Sequence, residues 1–425
     1  MKDQKDVLGR LRDMIRDMER ARGSGDGSPV FPQLPPVPRI GPGSCVLRDV
    51  SPASVDTTEG ERLRIIQAAY PSGTVPELLR IPAGVFQAFR SLEPDLESVD
   101  GWLFLDIETT GLAGAATVAF LVGLGEWTGD SFQVTQLFLK DRSGEEFLLD
   151  EVAKRLSGRP VTVTFNGKAF DLPVLRGRFA MNGMRPPVFS RVHLDLLSLV
   201  RNMGRRPEYG QSLREAIRRF TGAARDGDIP GHLIPALYFV YERDGDASVL
   251  EPVMRHNRLD VLDMACLSWV FGHVLSGELD AGDAAALGGA GKLHLRKGNL
   301  SLARRCLETA LSDLPGESGR GPAGVGSLRL LGHVLRKQGD WKAAREAWER
   351  VVCSGEARDE DYLWLARCYE VSSGDIQRSL EVVDRAVSLH ESLGHEPPPA
   401  LLGRKRRLGR LSSAAKRVIP PILPS

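Results

Sequence analysis

Cysteine is scarce in this chain of 425 residues: Cys45, Cys266, Cys306, Cys353 and Cys368 are scattered, with no CxxC pair. That argues against a zinc knuckle and against a disulfide framework, so a reducing, cytoplasmic setting is expected. Charge of one sign is missing too. The 56 basic and 55 acidic residues leave a formal net charge of +1, so any affinity for polyanions must come from local patches. The apolar run around TVAFLVGLG is too short to span a bilayer, and the charged opening MKDQKDVLGRLRDM lacks the apolar stretch of a secretion signal. No membrane partner is expected. GxxxxGK[ST] is absent, which argues against an ATP-driven motor.

The length calls for two or three folded units. Within 1–22, Val7, Leu8, Leu11, Ile15 and Met18 fall at helical spacing, which predicts an amphipathic helix. Residues 23–43 are rich in Gly, Ser and Pro and read as a linker. Residues 44–99 mix short apolar runs with turn residues and receive no assignment. From Gly101, WLFLDIETTGL, TVAFLVGLGEW and SFQVTQLFLKD are three β-rich runs separated by turns, an antiparallel meander. Ser143, with Glu146 three positions later, predicts a capping box before an amphipathic helix. VTVTF reads as a fourth strand, parallel to one of the three, and Asp171 to Met181 as a helix with Pro173 in its first turn. The order βββαβα, a mixed α/β sheet, is expected over 100–275.

Beyond Gly277 the pattern is helical and repetitive. GKLHLRKGNLSLARRCLETAL from Gly291 and GHVLRKQGDWKAAREAWERVV from Gly332 place Gly, Gly-Asn or Gly-Asp, and Ala at matching offsets. A looser copy begins at Ala366. Over 285–392 this resembles tetratricopeptide repeats, all-α hairpins that stack on their neighbours and bind protein partners. The segment LPGESGRGPAGVGS is longer than a usual turn between repeats. Residues 393–425, with RKRRLGR, are expected as a basic, mobile tail with some capacity for phosphate.

The chemistry rests on acids. Asp106 and Glu108 are one residue apart on the first strand, so both carboxylates share a face, and apolar sequence surrounds them. Asp171 follows the fourth strand at a helix start, where a plain cap is the competing reading. Asp260 lies one helical turn after His256 in VMRHNRLDVLDM. Asp195 reads as a helix cap and, like Asp263, stays outside the set.

DIETTGL resembles the first motif of the DEDD exonucleases, FNGKAFDLPVL their second, also seen in the exonuclease domains of family B polymerases, and HNRLDVLDM their third. The stretch GDIPGHLIPALYFVYERDGDASVLEPVMRHNRLDVL is similar to the bacterial YprB-like ribonuclease H-like family. The resemblance implies a ribonuclease H-like domain that hydrolyses phosphodiesters with two divalent ions, Mg²⁺ or Mn²⁺. It implies that Asp106 bridges both ions, Glu108 and Asp260 complete one site, and Asp171 holds the other through water. His256 is the implied base, although it stands four residues before Asp260, the spacing of the tyrosine-type enzymes. Thr109, Thr110, Gly111 and Leu112 would meet the terminal nucleotide, Leu112 being equally suited to core packing. Asn166, with Lys168 the weaker candidate, would orient the scissile phosphate. The expected activity is a 3′-5′ exonuclease on a single-stranded RNA or DNA end. The alternatives are a non-catalytic nucleic-acid-binding protein and a repeat-based scaffold.

Overall fold

In the computed structural model of the protein, the structure describes residues 52–71, 81–96, 98–99, 101–111, 117–187, 190–204, 210–223, 225, 227–278, 284–312 and 322–418. The helix and linker expected at 1–22 and 23–43 lie outside these residues, as does Leu112. Two compact units are present, one built from 1–86, 93–201 and 205–272, the other from 87–92, 202–204 and 273–425.

The first unit is organised on one mixed sheet of seven strands: β1 (Ser54–Glu59), β2 (Leu63–Pro71), β3 (Trp102–Thr109), β4 (Ala119–Thr128), β5 (Ser131–Leu139), β6 (Val161–Thr164) and β7 (Val192–Asp195). Their order is β1-β2-β5-β4-β3-β6-β7. The expected meander is β3, β4 and β5, each antiparallel to the next. VTVT is β6, parallel to β3, and β7 continues parallel to β6. β4 is buried over seven successive residues because both of its faces are covered, which is why its sequence runs apolar instead of alternating.

The unassigned stretch before Gly101 contributes two of the seven strands. β2 pairs antiparallel with β5, and β1, SVDTTE, is exposed throughout, a polar edge that discourages pairing with another chain. Helices α1 (Ala83–Leu92), α2 (Glu145–Leu156), α3 (Asp171–Met181), α4 (Leu196–Asn202), α5 (Leu213–Thr221), α6 (Ile234–Asp244) and α7 (Glu251–Ser276) follow in chain order. The capping box expected from Ser143 does not form. Asp141 takes the Ser143 N–H at 2.7 Å and caps a short 3₁₀ turn, so Ser143 lies inside that turn and α2 begins after Gly144 without a side-chain cap.

The core of this unit gathers Leu105, Ile107, Leu121 and Leu137 from the sheet with Leu148 and Val152 of α2 and Leu175 of α3. Tyr238 of α6 stacks on Phe120 of β4 with ring centroids 4.0 Å apart. The stretch Ala247–Ser276 is long and apolar enough to cross a membrane, yet 78% of its most apolar window is buried within the protein.

The second unit is helical: α8 (Ala284–Lys297), α9 (Leu300–Ser312), α10 (Pro322–Lys337), α11 (Trp341–Cys353), α12 (Asp359–Ser372), α13 (Ile376–Ser392) and α14 (Pro399–Val418). The repeated glycines have a steric reason. A Cβ on Gly291 would stand 2.6 Å from Leu307, and one on Gly332 would stand 2.7 Å from the Trp348 ring, the equivalent position one repeat later. Gly298, Gly339 and Gly374 take positive φ, which lets the chain turn from one helix into the next. Asp340 and Asp375 then cap α11 and α13 through the N–H groups of Ala343 and Arg378.

Two expectations change here. The end of the long segment between the first repeats is helix, since α10 starts at Pro322. The expected mobile tail is in fact helical over Pro399–Val418, because Leu401 and Leu408 find burial in the repeat core and Glu370 takes Arg404 and Arg407.

Candidate active site

Asp106 and Glu108 lie near the C-terminal end of β3, both half-buried on one face, with Leu105, Ile107 and Thr109 buried between and beside them. The register with β4 shifts between Glu108 and Thr109, at the end of the strand that carries the acids. β6 runs parallel to β3, so the segment after β6 emerges at the same end of the sheet and delivers Asp171 there at the start of α3. Its Oδ1 accepts the Ile107 N–H at 3.2 Å, tying the third acid to β3.

α7 supplies the rest. It approaches β4 closely because Gly123 and Gly125 have no side chains there: a Cβ on Gly123 would stand 2.3 Å from Asn257 Oδ1, and one on Gly125 would stand 2.4 Å from Val261. Asn257, fully buried, donates to Asp106 Oδ2 at 2.8 Å and accepts from Gln136 Nε2 at 3.0 Å. One residue before it, His256 places Nδ1 2.7 Å from Asp228 Oδ1 and Nε2 3.6 Å from Asp260 Oδ2. Arg225 lies against three acids: Asp260 at 2.5 Å, Asp228 at 3.1 Å, and Asp263.

The electrostatics follow from burial and crowding. Burial pushes Asp106 well above the usual carboxylate range, and Asp260, Glu108 and Asp171 push it further, against the Asn257 hydrogen bond. Glu108 is pushed up to about 8, by burial first, with Asp260 and Asp171 adding and the charge on His256 opposing. Asp171 is pushed up to about 7 by burial, even though the Ile107 N–H favours its charged form. Burial alone would lower His256; the Asp228 hydrogen bond and the charges of Asp260 and Glu108 overcome it and raise the imidazole to about 9. Burial opposes the charge on Arg225 as well, but Asp263, Asp260 and Asp228 together raise its pKa.

Buried carboxylates that push one another toward protonation are a region of negative charge short of cations. All-oxygen donors of this kind suit a hard divalent ion. The donor chemistry therefore fits such an ion, although among the described residues no three His, Cys, Asp or Glu side chains stand together as a ready metal-holding group. Asp260 is engaged by Arg225 and Asp106 by Asn257 instead.

The remaining candidates are used locally. Thr109 Oγ1 donates to Gly111 O at 2.6 Å, and Thr110 Oγ1 accepts the Val118 N–H at 3.0 Å, so both hydroxyls shape the turn after β3. Asn166 has φ 69°, and its N–H goes to Asp195 Oδ1 at 2.9 Å, while the Lys168 N–H goes to Asp195 Oδ2 at 3.2 Å. Asp195 caps α4 through the Leu197 N–H and pins this turn as well, a role that sequence reading of a simple cap misses. Asp228, Arg225, Asn257 and Gln136 were also missed. The first three lie within or just before the stretches that carry the family resemblance, but no spacing rule pairs residue 228 with residue 256.

Matches to family models agree with this architecture. Residues 103–270 match the RNase_H superfamily model, and residues 289–357 and 329–393 match a tetratricopeptide repeat model. The protein YprB of Bacillus subtilis (strain 168) is 27% identical over 321 residues, covering 73% of this chain and 75% of that one. A family B DNA polymerase from the hyperthermophilic archaeon Pyrobaculum calidifontis is similar over 48% of this chain, with 18% identity and a TM-score of 0.36, and the chain spans 29% of that polymerase. Residues 103–270 are thus an RNase_H superfamily domain, and the helical region that follows them is built of tetratricopeptide repeats.

Proposed function

We propose that the RNase_H superfamily domain hydrolyses phosphodiester bonds of nucleic acid, acting as an exonuclease from a 3′ end. The observation that carries the reading is the convergence of Asp106, Glu108, Asp171 and Asp260 from β3, α3 and α7, with Asp260 raising the proton affinity of the other three. These four would hold two divalent ions, Mg²⁺ or Mn²⁺, which when bound stabilise the charge on the attacking and leaving oxygens of the displacement. Asn257 keeps one oxygen of Asp106 fixed, and Ile107 N–H does the same for Asp171. Asp228 holds the His256 ring by Nδ1 and leaves Nε2 directed at Asp260, where it would take a proton from the attacking water. Glu108 and Asp260, two of the acids that would hold an ion, also contribute to raising the His256 imidazole, after its Asp228 hydrogen bond. Thr109, Thr110 and Gly111 shape the turn beside the acids, on the side expected to receive the terminal nucleotide.

One observation favours a second reading, a nucleic-acid-binding domain without catalysis: Arg225 already supplies positive charge to Asp260. Digestion of end-labelled single-stranded RNA and DNA with Mn²⁺ separates the two. Laddering from the 3′ end that Asp106→Asn abolishes supports the nuclease; retained binding with no cleavage of either polymer by the native chain supports the binding domain.

A further inference from the structure

In the repeat unit, α12 and α14 enclose a groove of about 550 Å³ lined in part by Trp364, Arg367, Gly403, Arg404 and Arg407, with Glu360 also on its wall. Three guanidiniums converge on one buried carboxylate: Glu370 takes Arg404, Arg407 at 3.1 Å and Arg367 at 3.6 Å. One acid cannot balance three bases. Arg367 and Arg407 remain half-exposed, while the buried Nε of Arg404 has no hydrogen-bond partner. Burial and repulsion from Arg407 and Arg367 lower the pKa of Arg404 despite the Glu370 charge, as expected where positive charge is in excess. Trp364 brings an aromatic ring to the same groove, with the His333 ring edge-on to it at 5.4 Å. The guanidinium of Arg336 lies over the Trp364 ring, 4.6 Å from its centroid, and its own Nε is also buried without a partner.

We propose that this groove binds a single-stranded nucleic acid, with phosphates on Arg367, Arg404 and Arg407 and a base against Trp364. Excess guanidinium suits phosphate oxygens, and a tryptophan with a guanidinium over one face suits a base. An acidic peptide is the competing anion. The strand is favoured because the sequence of α14 carries seven basic residues and no acidic one, a local excess of positive charge suited to a polyanion. The inference rests on the nucleic-acid reading of the first unit and assigns the repeats a substrate-holding role in addition.

The test is fluorescence anisotropy of a labelled single-stranded oligonucleotide with the full chain carrying Asp106→Asn, so that the probe survives. Arg367→Ala with Arg407→Ala keeps Arg404 on Glu370, and circular dichroism checks the fold. The expected result is an affinity weakened about tenfold or more, with a salt dependence shallower by about one unit of slope. Trp364→Leu should weaken binding while leaving that slope unchanged. Unchanged affinity in both variants overturns the proposal, as does an oligoglutamate peptide that binds this groove when the oligonucleotide does not. The readout is binding alone, so a native chain that cuts nothing sinks the nuclease reading and leaves this result legible.

Discussion

Asn257 reaches Asp106 because Gly123 offers no side chain at the crossing of α7 and β4. Gly123→Ala should cost about 1–3 kcal/mol in urea unfolding and lower hydrolysis, since the new methyl must displace the Asn257 amide. Gly177→Ala in α3, with open space around it, is the matched control and should be neutral or stabilising. On the proposed reading Asp228 is a positioning residue, since it holds His256 and touches no expected substrate atom. Asp228→Asn should lower kcat about 10- to 100-fold with KM little changed, and Asp228→Glu should recover part of the loss in the same steady-state assay. His193 is a pH-sensitive site of a different kind. Burial, with Lys168 adding, lowers its pKa to about 4, and it is held by Thr164 Oγ1 at 2.8 Å. A depressed histidine favours folding while neutral, so this stability is present above the unfolded value of about 6.5 and is lost as pH falls toward 4. Denaturation series across that window should show a shallower acid limb in His193→Gln than in the native chain.

Among the elements, the parallel pair β3 and β6 decides where the acids meet, and α7 closes the site over β4. In the second unit the corresponding device is the small residue at each helix crossing. Gly332→Ala would drive a methyl into the Trp348 ring, which is buried in the repeat core. A loss of about 1–3 kcal/mol is expected, read as a lower melting temperature with the helical circular dichroism signal otherwise intact. That glycine was legible in the sequence through its recurrence after Gly291, because a repeat displays its packing rule more than once. The helix at Pro399–Val418 was not legible in the same way. Its charged run hides the spacing of Leu401 and Leu408, and only the presence of a receiving surface makes that spacing matter.

On the scale of the whole molecule, two units with separate cores need not unfold as one transition. Mn²⁺ should raise one calorimetric transition, by about 2.7 kcal/mol at a hundredfold excess over Kd, and leave the transition of the repeat unit unmoved. In Asp106→Asn that shift should disappear, while the metal-free protein gains stability from the removal of one of four mutually repelling acids. An equal response of both transitions in the native and Asp106→Asn chains would contradict the assignment of the site.

What the sequence determined alone was local and periodic. It set the alternation that places Asp106 and Glu108 on one strand face, the turn spacing that puts Asp260 over His256, the βββαβα order and the repeated glycines. Each of these is a relation within a few residues, or a pattern that recurs. The tertiary structure decided the relations with no such carrier: β2 joining β5 across a long interval, Asn257 bridging Gln136 and Asp106, and Arg225 and Asp228 meeting α7. Those partners are chosen by the packing of elements against one another. A buried hydrogen bond or ion pair is specified by where the backbone brings its two ends, and that is a property of the folded chain.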